Sequence, residues 1–312
     1  MQPAIGILRL RDKGDREGGD FTVDVRARLT PDEYADCLAA IRRISSFHAT
    51  IDLFSLVPAN FTDFRVSIEQ ALDAWREPTK RPALAATIGV EVNRRVLNFL
   101  CSARTYLDHT ETTLKRTYGE RSLVATRFRE ATSAAYDGDF AYRFAYRLRN
   151  FAQHCGLPAS YIRFQTLPPE QPGTPNQYSV HVGAWRDHLL AEFDWGPLTS
   201  EIAAQPQIID LPPVLHSFMR SLESIQSEVA EAELPLLRPI AEAIAAWRDR
   251  IAPIDGEVYI LNLEGPEDAA GAVDLTRVRG IGFTPFPLHV AEEILRGGVT
   301  HSLSLSDDVI GS

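Results

Sequence analysis

The sequence predicts a mainly α-helical protein, α+β overall, in which a helical bundle carries small α/β elements at both ends. Apolar residues repeat at helical spacing over long stretches in the middle of the chain, whereas alternating apolar and polar residues mark a few short strands near the ends. Glycine and proline end the central helical stretches after short connections. Helices joined in this way pack antiparallel as neighbours, which is the geometry of an up-down bundle.

The N-terminal region, residues 1–80, is predicted to be a small α/β element. Ile5–Leu10 and Phe21–Arg28 have the alternation of strands. The segment Thr30-Pro31-Asp32-Glu33 combines a capping box with proline at the first helical position, so we expect a helix from there to about Ser45. A further strand and a short helix are expected over Thr50–Leu56 and Ser67–Trp75.

The central region, residues 81–251, is predicted to be the bundle. Its helices are expected over Pro82–Tyr118, Arg121–Tyr136, Phe140–Cys155, Pro213–Ala230 and Pro235–Ile251. Gly119 is predicted to end the first of these helices, and Asp139 to cap the third. The buried face of the first of these helices is predicted from eight apolar residues: Ile88, Val92, Val96, Phe99, Leu100, Ala103, Leu107 and Leu114.

The segments between and after these helices are predicted to be loops and short strands. A Pro-rich, loop-heavy stretch is expected from Ser160 to Gly173, followed by a short strand over Tyr178–Val182. In the C-terminal region, residues 252–312, we expect strands over Gly256–Leu263 and Val278–Phe283, a short helix, and a loose tail after Thr300.

Composition excludes several classes of protein. The hydrophobic fraction of 45% and charged fraction of 24% are typical of a globular protein rather than a disordered or fibrous one. No apolar run is long enough to span a membrane, and the N-terminus does not resemble a signal peptide. Cys37, Cys101 and Cys155 are few and widely spaced, which argues against a disulfide framework or thiolate metal site and favours a reducing cytoplasm. We expect neither a metal nor another cofactor.

Charge is unevenly distributed along the chain. Residues 113–158 contain eight basic and four acidic residues, so this segment carries +4 in a chain whose net charge is −10. The negative total predicts poor non-specific affinity for nucleic acids or anionic lipids. The positive segment is either a solvated helical face, with arginine stems covering apolar neighbours, or a local site for a phosphate-bearing partner.

The predicted helix Phe140–Cys155 carries two stripes. Phe140, Phe144, Leu148, Phe151 and Cys155 form an apolar stripe that should be buried, with Cys155 filling the core. Arg143, Arg147, Asn150 and His154 form a polar stripe, and Arg149 lies beside it. Asn150 and His154 share a face, while Arg149 and His154 diverge by about 140° around the helix axis. A guanidinium, an amide and an imidazole on one surface suit a phosphodiester ligand.

The segment Arg149-Asn150-Phe151-Ala152-Gln153-His154 resembles the signature of the HEPN superfamily, in which Arg, a polar residue and a later His lie on one helix of a bundle. The resemblance implies a metal-independent endoribonuclease, commonly a toxin or phage-defence effector, that works as a homodimer. It gives Arg149 the role of stabilising phosphorane charge and His154 that of general base or acid. Asn150 would either hold the phosphate or orient the other two residues. The resemblance also implies RNA and a cognate antitoxin or defence-system protein as partners.

Spacing alone is a weak signal, because five Arg–His pairs in the chain lie four to six residues apart. Only Arg149 is followed directly by Asn. Two other interpretations remain open: a buried polar network, or side chains that simply face solvent. The alternative function is a non-catalytic helical module that binds a partner protein or a nucleotide.

Other candidate residues have weaker signals. Arg143, Arg147, Tyr142 and Tyr146 are candidate RNA contacts, since the tyrosines can stack on unpaired bases. Arg104, Asp108, Glu111 and Lys115 have the spacing of mutual ion pairs, although Asp108 or His109 is also a candidate support for Arg149 and His154. His181, Asp187 and His188 lie near one another in sequence but lack the spacing of metal ligands.

Overall fold

The structure is a computed structural model that describes residues 2–10, 21–168, 176–266, 277 and 279–297. The predicted mainly helical, α+β fold is confirmed. The helices are α1 (Pro31–Arg76), α2 (Arg81–Tyr118), α3 (Leu123–Gly138), α4 (Phe140–His154), α5 (Arg186–Glu192), α6 (Thr199–Ala203), α7 (Leu211–Ile251) and α8 (Leu288–Arg296). Of the helices described, none has the length and apolarity to cross a bilayer.

Seven strands form two antiparallel sheets in the described residues. The strands are β1 (Gln2–Leu10), β2 (Phe21–Arg28), β3 (Tyr161–Leu167), β4 (Gln177–Trp185), β5 (Ile208–Asp210), β6 (Glu257–Glu264) and β7 (Gly280–Pro285). One sheet has the strand order β2-β1-β6-β7, and the other has the order β3-β4-β5. The strand predicted at 21–28 has the predicted ends. Those predicted at 5–10, 178–182, 256–263 and 278–283 are present with shifted ends, although residue 278 lies outside the described residues.

The chain divides into two compact units. One is formed within Met1–Ala49 and Glu233–Ser302 and contains the four-stranded sheet, and the other is formed within Thr50–Ala232 and contains α2 to α4 and the three-stranded sheet. The predicted boundaries, 1–80, 81–251 and 252–312, differ from these because α1 and α7 each carry the chain from one unit to the other without a break. The tail predicted after Thr300 lies outside the described residues.

In the first unit, the sheet and the start of α1 are fixed by local signals. The predicted capping box is present: the Thr30 N–H donates to Glu33 Oε2 at 2.9 Å, and the Glu33 N–H donates to Thr30 Oγ1 at 3.2 Å. The Thr30 N–H, together with Arg250, lowers the pKa of the Glu33 carboxyl. Ala4, Leu261 and Leu263 form the buried cluster of the sheet.

In the second unit, α2, α3 and α4 pack on one another around a core rich in aromatic residues. All eight apolar residues predicted for the buried face of α2 are buried. The predicted end of α2 is also confirmed, since Gly119 has a φ of 92° and donates its N–H to the Lys115 carbonyl. Each large side chain sealed in this core contributes about 2 kcal/mol to stability.

Three sequence-based element predictions are wrong. Thr50–Leu56 is not a strand but the middle of α1, because Phe54, Val57, Phe61 and Phe64 recur at helical spacing and are buried. The two helices predicted over 213–251 are the single helix α7, which continues through Pro235 and Pro239. Buried residues on either side of these prolines outweigh the lost backbone hydrogen bonds.

The third wrong prediction concerns the stretch from Ser160 to Gly173, whose first part is β3 rather than a loop. Ile162 and Phe164 alternate with outward-facing residues and pack on the bundle core, so the strand has a buried side that the prolines after it obscure. Residues 169–175 of that stretch lie outside the described residues.

Candidate functional site on helix α4

Asp139 is the N-cap of α4, as predicted. The Asp139 carboxylate accepts the Ala141 N–H at 2.8 Å, which satisfies a free donor of the first turn. Its other oxygen accepts the hydroxyls of Ser217 and Ser221 of α7 at 2.9 and 3.4 Å. One carboxylate therefore caps α4 and ties its N-terminus to a second helix of the bundle.

The far end of α4 is held through the loop that follows it. Asn93 of α2 is 3% exposed and donates to the Ala159 carbonyl at 2.9 Å, while its own Oδ1 accepts the Ala159 N–H at 2.8 Å. This pair of bonds fixes the chain five residues after His154. Asn93 gave no functional signal in the sequence, because its partner lies 66 positions away.

The apolar stripe of α4 is buried except at its last residue. Phe144, Leu148 and Phe151 are completely buried, and Phe140 packs on the core with partial exposure. Cys155, predicted to fill the core, is instead an exposed free thiol. The helix ends at His154, and the non-helical backbone of Cys155, with φ of −123°, turns its side chain away from the stripe.

Arg149 and Asn150 contact each other on the half-buried side of α4. Arg149 Nη1 donates to Asn150 Oδ1 at 3.4 Å, which turns the guanidinium towards the face that carries Asn150. Arg149 Nε is buried and has no hydrogen-bond partner among the described residues. This buried nitrogen is out of reach of an external ligand, but Nη2 is not buried and also has no hydrogen-bond partner among the described residues, so it is the donor left for an external acceptor.

His154 lies one turn beyond Asn150 and is exposed. In the part of the chain that the structure describes, no side chain is hydrogen-bonded to its ring. Of the three predicted catalytic residues, Arg149 and Asn150 are in contact, and no contact among the described residues joins His154 to either of them. None of the three is sealed inside the bundle.

Arg143 and Arg147, predicted as RNA contacts, are engaged within the chain. Arg143 donates to the carbonyl of Asp137 at 2.9 Å and pairs with Glu201 of α6 at 2.7 Å. Arg147 donates to the Asp194 carbonyl at 2.6 Å, and its guanidinium lies 5.5 Å from the centre of the Phe193 ring. Both guanidinium groups fasten neighbouring segments to α4.

Tyr142 and Tyr146 stack on each other with 6.3 Å between ring centres. Tyr142 is only 3% exposed, and burial raises the pKa of its hydroxyl to about 12, with a smaller opposing effect from the charge of Arg104. Tyr146 is half-buried, and the guanidinium of Arg104 lies 4.6 Å from its ring centre. The two tyrosines border a small cavity of about 130 Å³ between α2, α3 and α4.

Asp108 forms the ion pair that its spacing predicts, accepting Arg104 Nε at 2.8 Å, and Glu111 pairs with Lys115 at the same distance. His109 is exposed on α2. Among the described contacts, neither Asp108 nor His109 reaches Arg149 or His154.

A second imidazole lies near the C-terminal end of α4, and sequence reasoning did not connect it with this site. His188 of α5 is exposed, its ring packs edge-on against Phe151 at 6.1 Å, and a Cβ at Gly156 would lie 3.7 Å from its Nε2. Only the fold brings α5 here, so spacing in the sequence carried no signal of it. In the described residues, no three His, Cys, Asp or Glu side chains meet as metal ligands.

A comparison of the chain with protein-family models, curated proteins and solved structures finds no match. What α4 does is therefore inferred from its side chains and their surroundings.

Proposed function

We propose that the protein is a HEPN-type endoribonuclease that cleaves RNA without a metal ion, with Arg149, Asn150 and His154 as its catalytic residues. The observation that carries this proposal is the exposure of His154 one turn beyond the Arg149–Asn150 contact, on an otherwise well-packed helix. The free donors of Arg149 and the open ring of His154 suit a phosphodiester in front of Asn150.

The reaction is a transesterification. The 2′-oxygen attacks the phosphorus, a bond forms between O2′ and phosphorus, and the bond from phosphorus to O5′ breaks. His154 takes the 2′-hydroxyl proton as general base, and the leaving O5′ receives a proton from a second donor. Arg149 stabilises the charge that develops on the phosphorane oxygens, and Asn150 holds one of those oxygens.

Two residues are candidates for the second proton donor, the one that protonates the leaving O5′. In a homodimer, it is His154 of the partner subunit, as the resemblance implies. Within one chain, it is His188, whose imidazole lies near the end of α4 against Phe151 and Gly156. The His188→Ala variant distinguishes these two proton donors. If it still cleaves RNA, His154 of the partner subunit protonates the leaving O5′; if it does not, His188 does.

The test compares cleavage of labelled RNA in EDTA by the wild type and by Arg149→Ala, Asn150→Ala and His154→Ala. We expect the Arg149 and His154 variants to be about 10²–10³-fold slower. Wild-type products should carry a cyclic phosphate and a free 5′-hydroxyl. Gln153→Ala is the matched control, because it removes an exposed amide from the same turn and should cleave at the wild-type rate.

Equal cleavage by all variants would contradict the assignment, as would a wild type that leaves RNA intact. Sedimentation of the purified protein tests the proposed homodimer separately. A cognate antitoxin or a defence-system protein remains the expected partner, because the resemblance associates such proteins with this family.

A further inference from the structure

The three-stranded sheet carries a groove of about 240 Å³, lined mainly from the face opposite to the one on which Ile162, Phe164 and Val182 pack on the bundle core. The groove is lined by Tyr161, Gln165, His181, Val182, Ile208 and Asp210. In the sheet register, Tyr161 lies opposite Gly183, and Gly183 lies opposite Asp210. An aromatic ring and a carboxylate therefore stand at the two ends of a row whose centre has no side chain.

Glycine is required at the centre of this row. A Cβ at Gly183 would lie 2.6 Å from Ile208 Cγ2 and 2.8 Å from the Ile209 carbonyl oxygen, so any other residue would push β5 away from β4. Because Asp210 is the last residue of β5, its distance from Tyr161 depends on this close approach.

The polar side chains of the groove have unused hydrogen-bonding capacity. Within the described residues, no protein group is hydrogen-bonded to the side chains of Tyr161, Gln165, His181 or Asp210. Partial burial raises the pKa of the Asp210 carboxyl, and the charge of His181 acts in the opposite direction. A concave site with several convergent, unpaired polar groups is the usual form of a small-ligand site.

The groove suits a planar ligand with two adjacent donors. The Tyr161 ring offers a stacking face, and Trp185 supports it edge-on with 5.3 Å between ring centres. A carboxylate accepts two parallel N–H bonds. Among the common bases, guanine presents two donors side by side on its Watson–Crick edge, whereas adenine, cytosine and uracil each present a donor next to an acceptor.

Charge on the same face favours a phosphate-bearing ligand over an amine. Arg163 lies directly opposite His181 in the register and is exposed, with no ion-pair partner among the described residues. A cationic ligand drawn to Asp210 would meet Arg163 and His181, while a nucleotide would place its phosphate near them.

We propose that this groove binds the guanine base of a guanosine phosphate: Asp210 accepts N1–H and the N2 amino group, Tyr161 stacks on the base, and Arg163 pairs with the phosphate. Gln165 and His181 supply N–H donors for O6. The site is separate from Arg149 and His154 and does not depend on RNA cleavage by them.

The test is calorimetric titration of the full chain with GMP, IMP, AMP and UMP. Inosine lacks the N2 amino group, so we expect IMP to bind about 10-fold more weakly than GMP, and AMP and UMP more weakly still. Asp210→Asn should weaken GMP binding about 10-fold or more, and Tyr161→Ala should weaken it while Tyr161→Phe preserves it. Asp137→Asn, which removes an exposed carboxylate from α3, should leave GMP binding unchanged.

A second arm distinguishes the source of the base. A 2′-O-methyl oligonucleotide with a single guanosine cannot be cleaved through its 2′-oxygen. If it binds more tightly than GMP and Asp210→Asn weakens that binding, the ligand of the groove is an RNA strand. If its binding is no tighter than that of GMP, or does not change in Asp210→Asn, the ligand is a free nucleotide. Equal affinity for GMP, AMP and UMP would overturn the proposal, as would an unaffected Asp210→Asn variant. Tighter binding of acetyl-arginine amide than of GMP would instead assign the groove to a cationic peptide.

Discussion

Single side chains in the bundle respond to burial in ways that can be measured. Tyr142 is buried as a neutral phenol, and its pKa is about 12 in the folded protein against about 10 in an unfolded chain. The stability that this difference contributes is fully present below pH 10 and is lost as the pH rises from about 10 to about 12. The full effect is about 2–3 kcal/mol.

We therefore expect the free energy of unfolding of the wild type to fall more between pH 9 and about pH 11 than that of Tyr142→Phe. Urea denaturation at a series of pH values measures it. The difference between the two proteins isolates Tyr142 from other groups that titrate there, such as Cys37, whose pKa burial raises to about 11. Parallel pH profiles for the two proteins would show that the phenol stays solvated.

The individual side chains of α4 show which features of the site the sequence can predict and which it cannot. The pattern of α4 places Asn150 and His154 on one face, because that follows from helical geometry alone. It could not predict that Arg143 is occupied by Glu201, which lies 58 residues away, or that Arg147 is held by a carbonyl of another segment. Which of several equivalent arginines stays available is decided by tertiary contacts.

Among the elements, α4 is held at its N-terminus by one residue, Asp139. Asp139→Ala removes the cap of α4 and leaves the Ser217 hydroxyl without its acceptor, whereas the Ser221 hydroxyl keeps the Ser217 carbonyl, so we expect a loss of about 2 kcal/mol in the free energy of unfolding. Asp139→Asn keeps one oxygen acceptor and should lose less than the alanine variant. Urea denaturation measures the free energy of unfolding of both variants, and an Asp139→Ala variant as stable as the wild type would show that the cap contributes little.

Element ends were predicted better than element lengths. The capping box at Thr30, Gly119 after α2 and Asp139 before α4 are local signals, and all three are confirmed. The lengths of α1 and α7 depend instead on which residues become buried across prolines, and this is decided by packing partners distant in the sequence.

For the whole molecule, charge sets how RNA is expected to bind. The chain carries −10 overall, so RNA binding depends on a few local cations rather than on general attraction. For a single strand, each neutralised phosphate changes the slope of log association constant against log salt by about −0.7. We expect Arg149→Ala to make this slope shallower by about 0.7.

Fluorescence anisotropy with a non-cleavable 2′-O-methyl RNA across a salt series measures the slope. The control is Arg42→Ala, which removes an exposed cation from α1 and should leave the slope unchanged. Identical slopes for the wild type and Arg149→Ala would exclude Arg149 from phosphate contact.

The two hydrogen bonds between the Asn93 side chain and the Ala159 backbone also couple α4 to β3. The strand that begins at Tyr161 starts two positions after Ala159, and the turn that carries His154 ends shortly before it. Amide protons between His154 and Tyr161 should therefore exchange slowly with solvent as a group. Loss of the two Asn93–Ala159 hydrogen bonds, as in Asn93→Ala, should loosen the end of α4 and the start of β3 together. A displacement of the last turn of α4 is therefore passed to β3, and one of β3 to α4, through this short stretch of backbone alone.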